Sequence, residues 1–580
     1  MQISRARRGA RILGLALAAL AVAVPAAQAK KTVDVQLLGL NDFHGQLEAL
    51  DPAQTSSGRV GTTPAGGVEY FATHVRAAEK GVKNSLVVSA GDLIGATPFT
   101  SALFHDEPTI EAMNKIGLDI NGVGNHEFDE GEQELLRMAR GGCHPNPEPP
   151  SQTCANGRFR GANFDFLAAN VVQKDTGRTL FPPYEIRKFD GIKIGFIGMT
   201  LEGTPSIVSP SGITNLDFLD EADTANKYAA ELRRRHGVEA IVVLLHEGGA
   251  ENPFTVALND CSGGLVGSPI HDIVNRTTDD VDLFITGHTH QEYNCVIDGR
   301  PVTSAMSLGR VLTDIDLELG RRSQDVESVT VNNEIVTRDG AKAPDMTTLM
   351  TRYQQLAAPI GSVPVGRISA DILREPTTPN PPGAIGLNSL GNLIADAQLA
   401  DTADPLRGDA DLALMNPGGV RADLAFAPDG VVTYAEAFAV QPFNNIVTTQ
   451  TFTGAQLLEV LKDQWCQGPT NILLPSSTLT YTYDRSVAAQ AVTATSCATA
   501  PQPVSDVKIN GVALNPAATY RVTTNNFLAD GGDSFQSLRA GTNRTLLDDF
   551  DIDSLVRYLE PSLTGAPIGP PALDRINNVE

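Results

Sequence analysis

Ala240-Ile241-Val242-Val243-Leu244-Leu245 is an unbroken apolar run that stops on His246-Glu247-Gly248-Gly249. A short continuous run rich in β-branched residues reads as a strand covered on both faces, as in sheets enclosed by helices. The same design recurs through the first half of the chain at Val33 to Leu40, Leu86 to Val88, Ile192 to Ile197 and Val281 to Ile285. Helix-compatible stretches such as Val68 to Glu79 and Glu130 to Ala139 separate these runs. Strands alternating with helices define an α/β domain.

Polar clusters stand where the runs end. Asn41-Asp42-Phe43-His44-Gly45 follows the first run, and Ser89-Ala90-Gly91-Asp92 follows Leu86 to Val88. Gly124-Asn125-His126-Glu127-Phe128-Asp129 follows a short segment around Ile120, and Gly287-His288-Thr289-His290 follows Val281 to Ile285. In open α/β sheets ligands bind outside the carboxyl ends of the strands, so five such clusters converge on one crevice. Asp42, His44, Asp92, Asn125, His246, His288 and His290 supply oxygen and nitrogen donors without thiolate. That set suits Zn, Mn, Fe or Co, with Zn or Mn as the expected metal, and it is too large for one catalytic ion with an open position. It fits two divalent ions sharing a carboxylate, an arrangement that clamps a phosphoryl group and activates water without an organic cofactor.

Composition sets the outer limits. The chain has 580 residues, 42% hydrophobic and 19% charged, which excludes a disordered polymer or a miniature disulfide scaffold and leaves room for two or three domains. Forty-four Lys and Arg against 68 Asp and Glu give a net charge of -24, so no nucleic-acid partner is expected. Residues 1–29 carry four arginines and no acid, then the apolar run Ile12 to Val24, then Ala27-Gln28-Ala29. This reads as a cleaved export signal that leaves no membrane attachment. Six cysteines in three sequence-local couples, Cys143 with Cys154, Cys261 with Cys295 and Cys466 with Cys497, suit disulfides in an exported protein. All ten histidines lie at or before His290, which confines the metal chemistry to the first half. The texture changes over residues 320 to 365, where a strand-like segment (Val329 to Val336) gives way to a helical one (Asp345 to Leu356). The division expected is a signal at 1–29, a metal-bearing domain at 30–338, a connector at 339–362 and a second α/β domain at 363–580. Residues 375 to 386 read as a Pro/Gly-rich loop.

The series Asp42-x-His44, Gly91-Asp92, Gly124-Asn125-His126-Glu127, His246-x-Gly-Gly249 and Gly287-His288-x-His290 resembles the calcineurin-like metallophosphoesterases, specifically the secreted 5′-nucleotidase family. The resemblance spans nearly the whole mature chain. It implies a four-layer domain followed by a nucleotide-binding domain, with interdomain rotation during turnover. Asp42, His44 and His290 would hold one metal, Asn125, His246 and His288 the other, and Asp92 would bridge them. His126 would be catalytic, held by Asp129. In the second half, Asn416-Pro417-Gly418-Gly419-Val420-Arg421 is similar to a substrate-facing turn of the family, with Pro417 in place of Gly. Gln441-Pro442-Phe443-Asn444-Asn445 and Asn526-Phe527 through Gly532-Asp533 resemble the two base-binding segments. By that resemblance Phe443 and Phe527 sandwich the base, Asn445 belongs to the first of these segments, Asp533 takes the sugar hydroxyls, and Arg421 meets a phosphate. Asn416 also faces substrate, and Arg374 is the nearest candidate for a further arginine. The implied reaction is release of phosphate from nucleoside 5′-monophosphates. A 2′,3′-cyclic phosphodiesterase with 3′-nucleotidase activity, a nucleotide-sugar hydrolase, a thiosulfohydrolase and a non-catalytic nucleotide-binding module are the alternatives. Oligomeric state is not readable.

Overall fold

The computed structural model describes residues 31–50, 58–145, 151–251, 257–374, 388–466, 470–494 and 496–579. The expected export signal and the Pro/Gly-rich loop lie outside the described residues.

The first half builds two six-stranded mixed sheets packed face to face. One has the order Val326–Ile335, Val311–Gly320, Thr32–Leu40, Ser85–Ser89, Leu118–Gly122, Asp165–Leu167. The other runs Glu292–Ile297, Arg300–Ala305, Leu283–Thr286, Ala240–His246, Ile192–Thr200, Tyr184–Phe189. Alternation within the strands explains the layering. Ala240, Val242 and Leu244 point into the apolar layer between the sheets, together with Val33, Val35, Leu37 and Val88. Ile241, Val243 and Leu245 point the other way, against Ala222, Ala225 and Ala229 of the helix Glu221–Glu231 and Ile270 and Val274 of the helix Pro269–Arg276. Across the first sheet, Leu38, Leu40 and Val87 pack with Phe71, Val75 and Ile110 of the helices Val68–Ala78 and Glu107–Ile116. Helices, sheet, sheet, helices make four layers, which is why the strands read as nearly continuous apolar runs.

Thr32–Leu40 pairs parallel with Ser85–Ser89, which pairs parallel with Leu118–Gly122. Ala240–His246 pairs parallel with Leu283–Thr286. All five strands that precede a polar cluster are therefore central strands. The last of them starts two residues later than its apolar run suggests. Asp282 Oδ2 accepts the Ile241 N–H at 2.8 Å, so a side chain takes the place of a ladder bond there.

A single helix, Pro344–Gly361, leads into the second half and carries Pro359 in its last turn, where the missing N–H removes one intrahelical bond. The second half contains a five-stranded sheet, Leu474–Pro475, Leu412–Met415, Thr519–Asn525, Ile446–Thr453, Thr542–Phe550, and a four-stranded one built on Leu479–Asp484. Its helix Ser389–Thr402 is capped by Asn388, whose Oδ1 accepts the Gly391 N–H at 2.7 Å. The halves meet where Phe99 lies edge-on to Tyr434 and Phe438, with ring centroids 5.5 and 5.4 Å apart. Three disulfides join Cys143 to Cys154, Cys261 to Cys295 and Cys466 to Cys497, the pairing expected from sequence locality.

Candidate active site

Side chains from the five strand exits meet in one buried cluster. His246 Nε2 lies 2.9 Å from Asp92 Oδ2 and 3.8 Å from Asp42 Oδ1. His44 Nε2 lies 3.0 Å from His290 Nε2 and 3.7 Å from Asp92 Oδ2, and His290 Nε2 is 3.5 Å from Asp42 Oδ1. Asn125 Oδ1 is 3.1 Å from His288 Nδ1. All seven donors expected from the sequence are thus brought together, with Asp92 touching both histidine groups.

The backbone gives up comfort to achieve this. Asp42, His44, Asp92, His288 and His290 have φ of 49°, 49°, 51°, 70° and 54°, a left-handed conformation that costs a side-chain-bearing residue of the order of 1 to 3 kcal/mol. Such strain persists only where surrounding contacts impose it, and here they are numerous. The Asp42 N–H donates to Gly91 O, the His44 N–H donates to Asp92 O, and both Asp42 oxygens lie within 3.1 Å of the His288 N–H. Asn41 Nδ2 donates to Asp42 Oδ2 at 2.6 Å. Gly124 is required by close approach, since a Cβ there would fall 2.2 Å from Asp92 Oδ1. Gly124→Ala should therefore push the Asp92 carboxylate aside. Elemental analysis of the purified variant is expected to show less bound metal than wild type, and an unchanged content would contradict this reading of the turn.

Electrostatics match a ligand set. Burial pulls His44 and His288 down to about 3 and holds His290 well below the ordinary imidazole value, so these rings present neutral lone pairs. Burial raises Asp42 to about 7. Burial also opposes the Asp92 carboxylate, but His246, His126 and His44 outweigh it and hold Asp92 well below the usual carboxylate range. His246 is pushed up to about 10, because the pull of Asp92 and Asp42 exceeds the cost of burying its cation. Its Nε2 is buried, with Asp92 Oδ2 2.9 Å away. Two imidazole nitrogens facing each other at 3.0 Å beside two buried carboxylates fit cations better than they fit one another.

His126 stands beside this cluster. Its backbone N–H donates to Asp92 Oδ1 at 2.8 Å, and its Nδ1 lies 2.8 Å from Asp129 Oδ2. The Asp129 carboxylate also accepts the Ala96 N–H. Burial disfavours the His126 imidazolium, yet Asp129 and Asp92 raise it above its ordinary value.

The second half reaches the same place. The Phe443 ring stacks near His126, with centroids 5.8 Å apart and planes 21° apart, and the Arg421 guanidinium is 5.7 Å from the Phe443 centroid. The Arg421 charge depresses the basicity of His44, His288 and His290, so it faces the cluster. Asn416 Nδ2 donates to Asp533 Oδ2 at 2.7 Å, and Phe527 lies over Gly532 beside Asp533. Two expected residues are engaged elsewhere. Asn445 Nδ2 donates to buried Asp551, and Arg374 pairs with Asp423 while its charge is still felt at Arg421.

Glu127 is a residue whose role the sequence hid. Its carboxylate accepts the N–H groups of Asp92, Leu93 and Gly124, each at 2.8 to 2.9 Å, and fixes the loops that carry Asp92 and Asn125 to each other. Its place in the Asn-His-Glu motif was the only signal.

Two mixed sheets with a carboxylate–imidazole cluster at their strand exits define a calcineurin-like phosphoesterase, and the family model of that description matches residues 35–292. The 5′-nucleotidase C-terminal domain matches residues 364–540. The chain belongs to the 5′-nucleotidase family and is a metal-dependent phosphoester hydrolase. It is 32% identical to cell wall protein Lmo0130 of Listeria monocytogenes, over 92% of this chain and 68% of that protein. It is 33% identical to endonuclease YhcR of Bacillus subtilis, over 91% of this chain but 40% of that protein, so it spans well under half of that relative. The fold is shared with a 5′-nucleotidase precursor from Thermus thermophilus, with TM-score 0.72, 23% identity, and 94% of this chain and 100% of that one covered. Among the described residues, no helix is long and apolar enough to cross a membrane.

Proposed function

We propose that the chain is an exported dimetal phosphohydrolase that releases phosphate from nucleoside 5′-monophosphates. The observation that carries this reading is the convergence of seven oxygen and nitrogen donors around Asp92, directly beside Phe443 and Arg421 of the second half. Asp42, His44 and His290 would hold one divalent ion, and Asn125, His246 and His288 the other, with Asp92 shared. Bound there, such ions supply Lewis acidity and a nucleophilic water near neutral pH. The remaining work belongs to side chains. Asp129 accepts from His126 Nδ1–H, fixes the ring and leaves Nε2 to hold or deliver a proton at the phosphoryl or leaving oxygen. Arg421 offers paired donors to phosphate. Phe443 and Phe527 give a base two flat apolar faces, and Asp533, braced by Asn416, accepts from the sugar. Export is supported by the basic-apolar leader, by the three disulfides and by a relative named as a cell wall protein.

Base stacking contributes roughly 1 to 3 kcal/mol, so Phe443→Ala or Phe527→Ala should raise KM for AMP by about 5- to 150-fold. The rate on a small alkyl phosphate without a base should stay as in wild type. Unchanged KM for AMP in both variants would remove the base clamp.

The 33% identity to a protein named as an endonuclease favours a second reading, in which the same site opens a phosphodiester. Product release from AMP, UDP-glucose, 2′,3′-cyclic AMP and a single-stranded oligonucleotide, with and without chelator, separates the two. We expect AMP to be the best substrate, with activity lost to chelator and restored by Zn or Mn. Chelator-insensitive hydrolysis would reject the dimetal account, and no hydrolysis with any divalent ion would favour a nucleotide-binding module.

A further inference from the structure

The helix Glu107–Ile116 begins after Asp106, and an aspartate in that place ordinarily turns its carboxylate onto an N–H of the first helical turn. Asp106 makes no such cap. Its backbone is left-handed, at φ 58°, and its buried carboxylate reaches back to the loop Gly95-Ala96-Thr97. Asp106 Oδ2 accepts the Gly95 N–H at 3.2 Å and the Thr97 hydroxyl at 3.1 Å, while Oδ1 accepts the Ser101 hydroxyl at 2.8 Å. A surrendered cap and a left-handed aspartate both cost stability, and such costs gather where function demands a geometry.

What the loop touches shows which geometry. The carbonyl of Gly95 accepts from His44 Nδ1 at 2.9 Å, which puts the ring proton on Nδ1 and leaves Nε2 bare towards His290 and Asp92. The N–H of Ala96 donates at 3.2 Å to Asp129 Oδ2, the same oxygen that lies 2.8 Å from His126 Nδ1. That carbonyl and that N–H belong to one peptide group. It therefore joins a donor of the Asp92 cluster to the His126–Asp129 pair, and Asp106 grips it from both flanks, through the Gly95 N–H before it and the Thr97 hydroxyl after it. Gly95 and Ala96 are left-handed, at φ 83° and 49°. A Cβ on Gly95 would fall 2.3 Å from His126 O and 2.7 Å from Asp129 Oδ2, so the loop lies hard against the pair it serves.

We propose that Asp106 is a positioning residue whose carboxylate sets the Gly95–Ala96 peptide group, and through it both the His44 ring and the Asp129–His126 pair. Outer partners that orient a ligand's second nitrogen govern metal affinity and rate together. This role rests on the reading given above for His44, His126 and Asp129.

Full-length wild type, Asp106→Ala and Asp106→Asn are compared for Zn(II) affinity by chelator competition, and for kcat and KM on p-nitrophenyl phosphate, a substrate without a base. Asp106→Ala should bind Zn(II) about 10- to 100-fold more weakly, and at saturating Zn(II) its kcat should fall by about the same factor while KM stays within about twofold of wild type. Asp106→Asn should recover most of both, because its oxygen can accept from Gly95 and Thr97 while its amide donates to Ser101 Oγ. Wild-type affinity and kcat in Asp106→Ala would overturn the proposal. A loss that Asp106→Asn shares in full would overturn it too, since hydrogen bonding to the loop would not be the cause. If Asp106→Ala does not fold, Thr97→Val removes one of the two flanking donors and should lower kcat at unchanged KM, and wild-type kinetics there would count against the proposal equally. Absence of hydrolysis by wild type with any divalent ion would reject the reaction proposed above, and the Zn(II) affinities alone would then decide the role of Asp106.

Discussion

Asp92→Ala should reduce phosphate release to the level of the chelated protein and should also lower the metal content of the purified enzyme. Asp92 is the one carboxylate that approaches both groups of donors, 2.9 Å from His246 and 3.7 Å from His44, and it accepts the His126 N–H as well. Its loss would leave His246 buried without the anion that sustains it. One preorganised donor contributes about 10²- to 10³-fold to a rate, and a residue that assembles the whole set should cost more than about 10³-fold. Full metal content with full activity in this variant would show that the two ions do not share Asp92.

His126→Ala is expected to separate chemistry from metal binding. General acid–base assistance contributes about 10²- to 10⁴-fold, so kcat should fall by that factor while metal content stays at the wild-type level. The geometry explains the asymmetry. The His126 link to Asp92 is made by its backbone N–H, which alanine retains, whereas only the ring reaches Asp129 and lies against Phe443. Kinetics and elemental analysis on one preparation settle it. Metal loss equal to that of Asp92→Ala would mean that His126 is a ligand and that the acid–base role belongs elsewhere.

Much of this architecture was legible because strand exits are marked twice, by the end of an apolar run and by the start of a polar cluster. Ala240 to Leu245 closing on His246 is the clearest instance, and the observed strand Ala240–His246 ends on that histidine. What stayed hidden depends on which loops become neighbours. Glu127 reads as one acid among 68 until Gly91-Asp92-Leu93 and Gly124 fold around its carboxylate. The left-handed backbone at Asp42, His44 and Asp92 is not marked either, since Asp and His enter that region more often than other side-chain-bearing residues but still in a small minority of positions. His105 and His144 lie 39 positions apart in sequence and stack only because the Cys143–Cys154 loop folds back onto the helix Glu107–Ile116. Asn445 stands in a base-binding-like segment and Arg374 is the nearest arginine before the helix Ser389–Thr402, yet the contacts their side chains make are with Asp551 and Asp423, which no local pattern announces.

Diffraction from crystals of the zinc- or manganese-loaded protein, collected at the absorption edge of the metal, addresses the central claim without reference to any substrate. The account predicts two anomalous peaks flanking the Asp92 carboxylate, one against His44 and His290 and the other against His246 and His288. A single peak at this cluster, or two peaks that leave Asp92 uncoordinated, would contradict it.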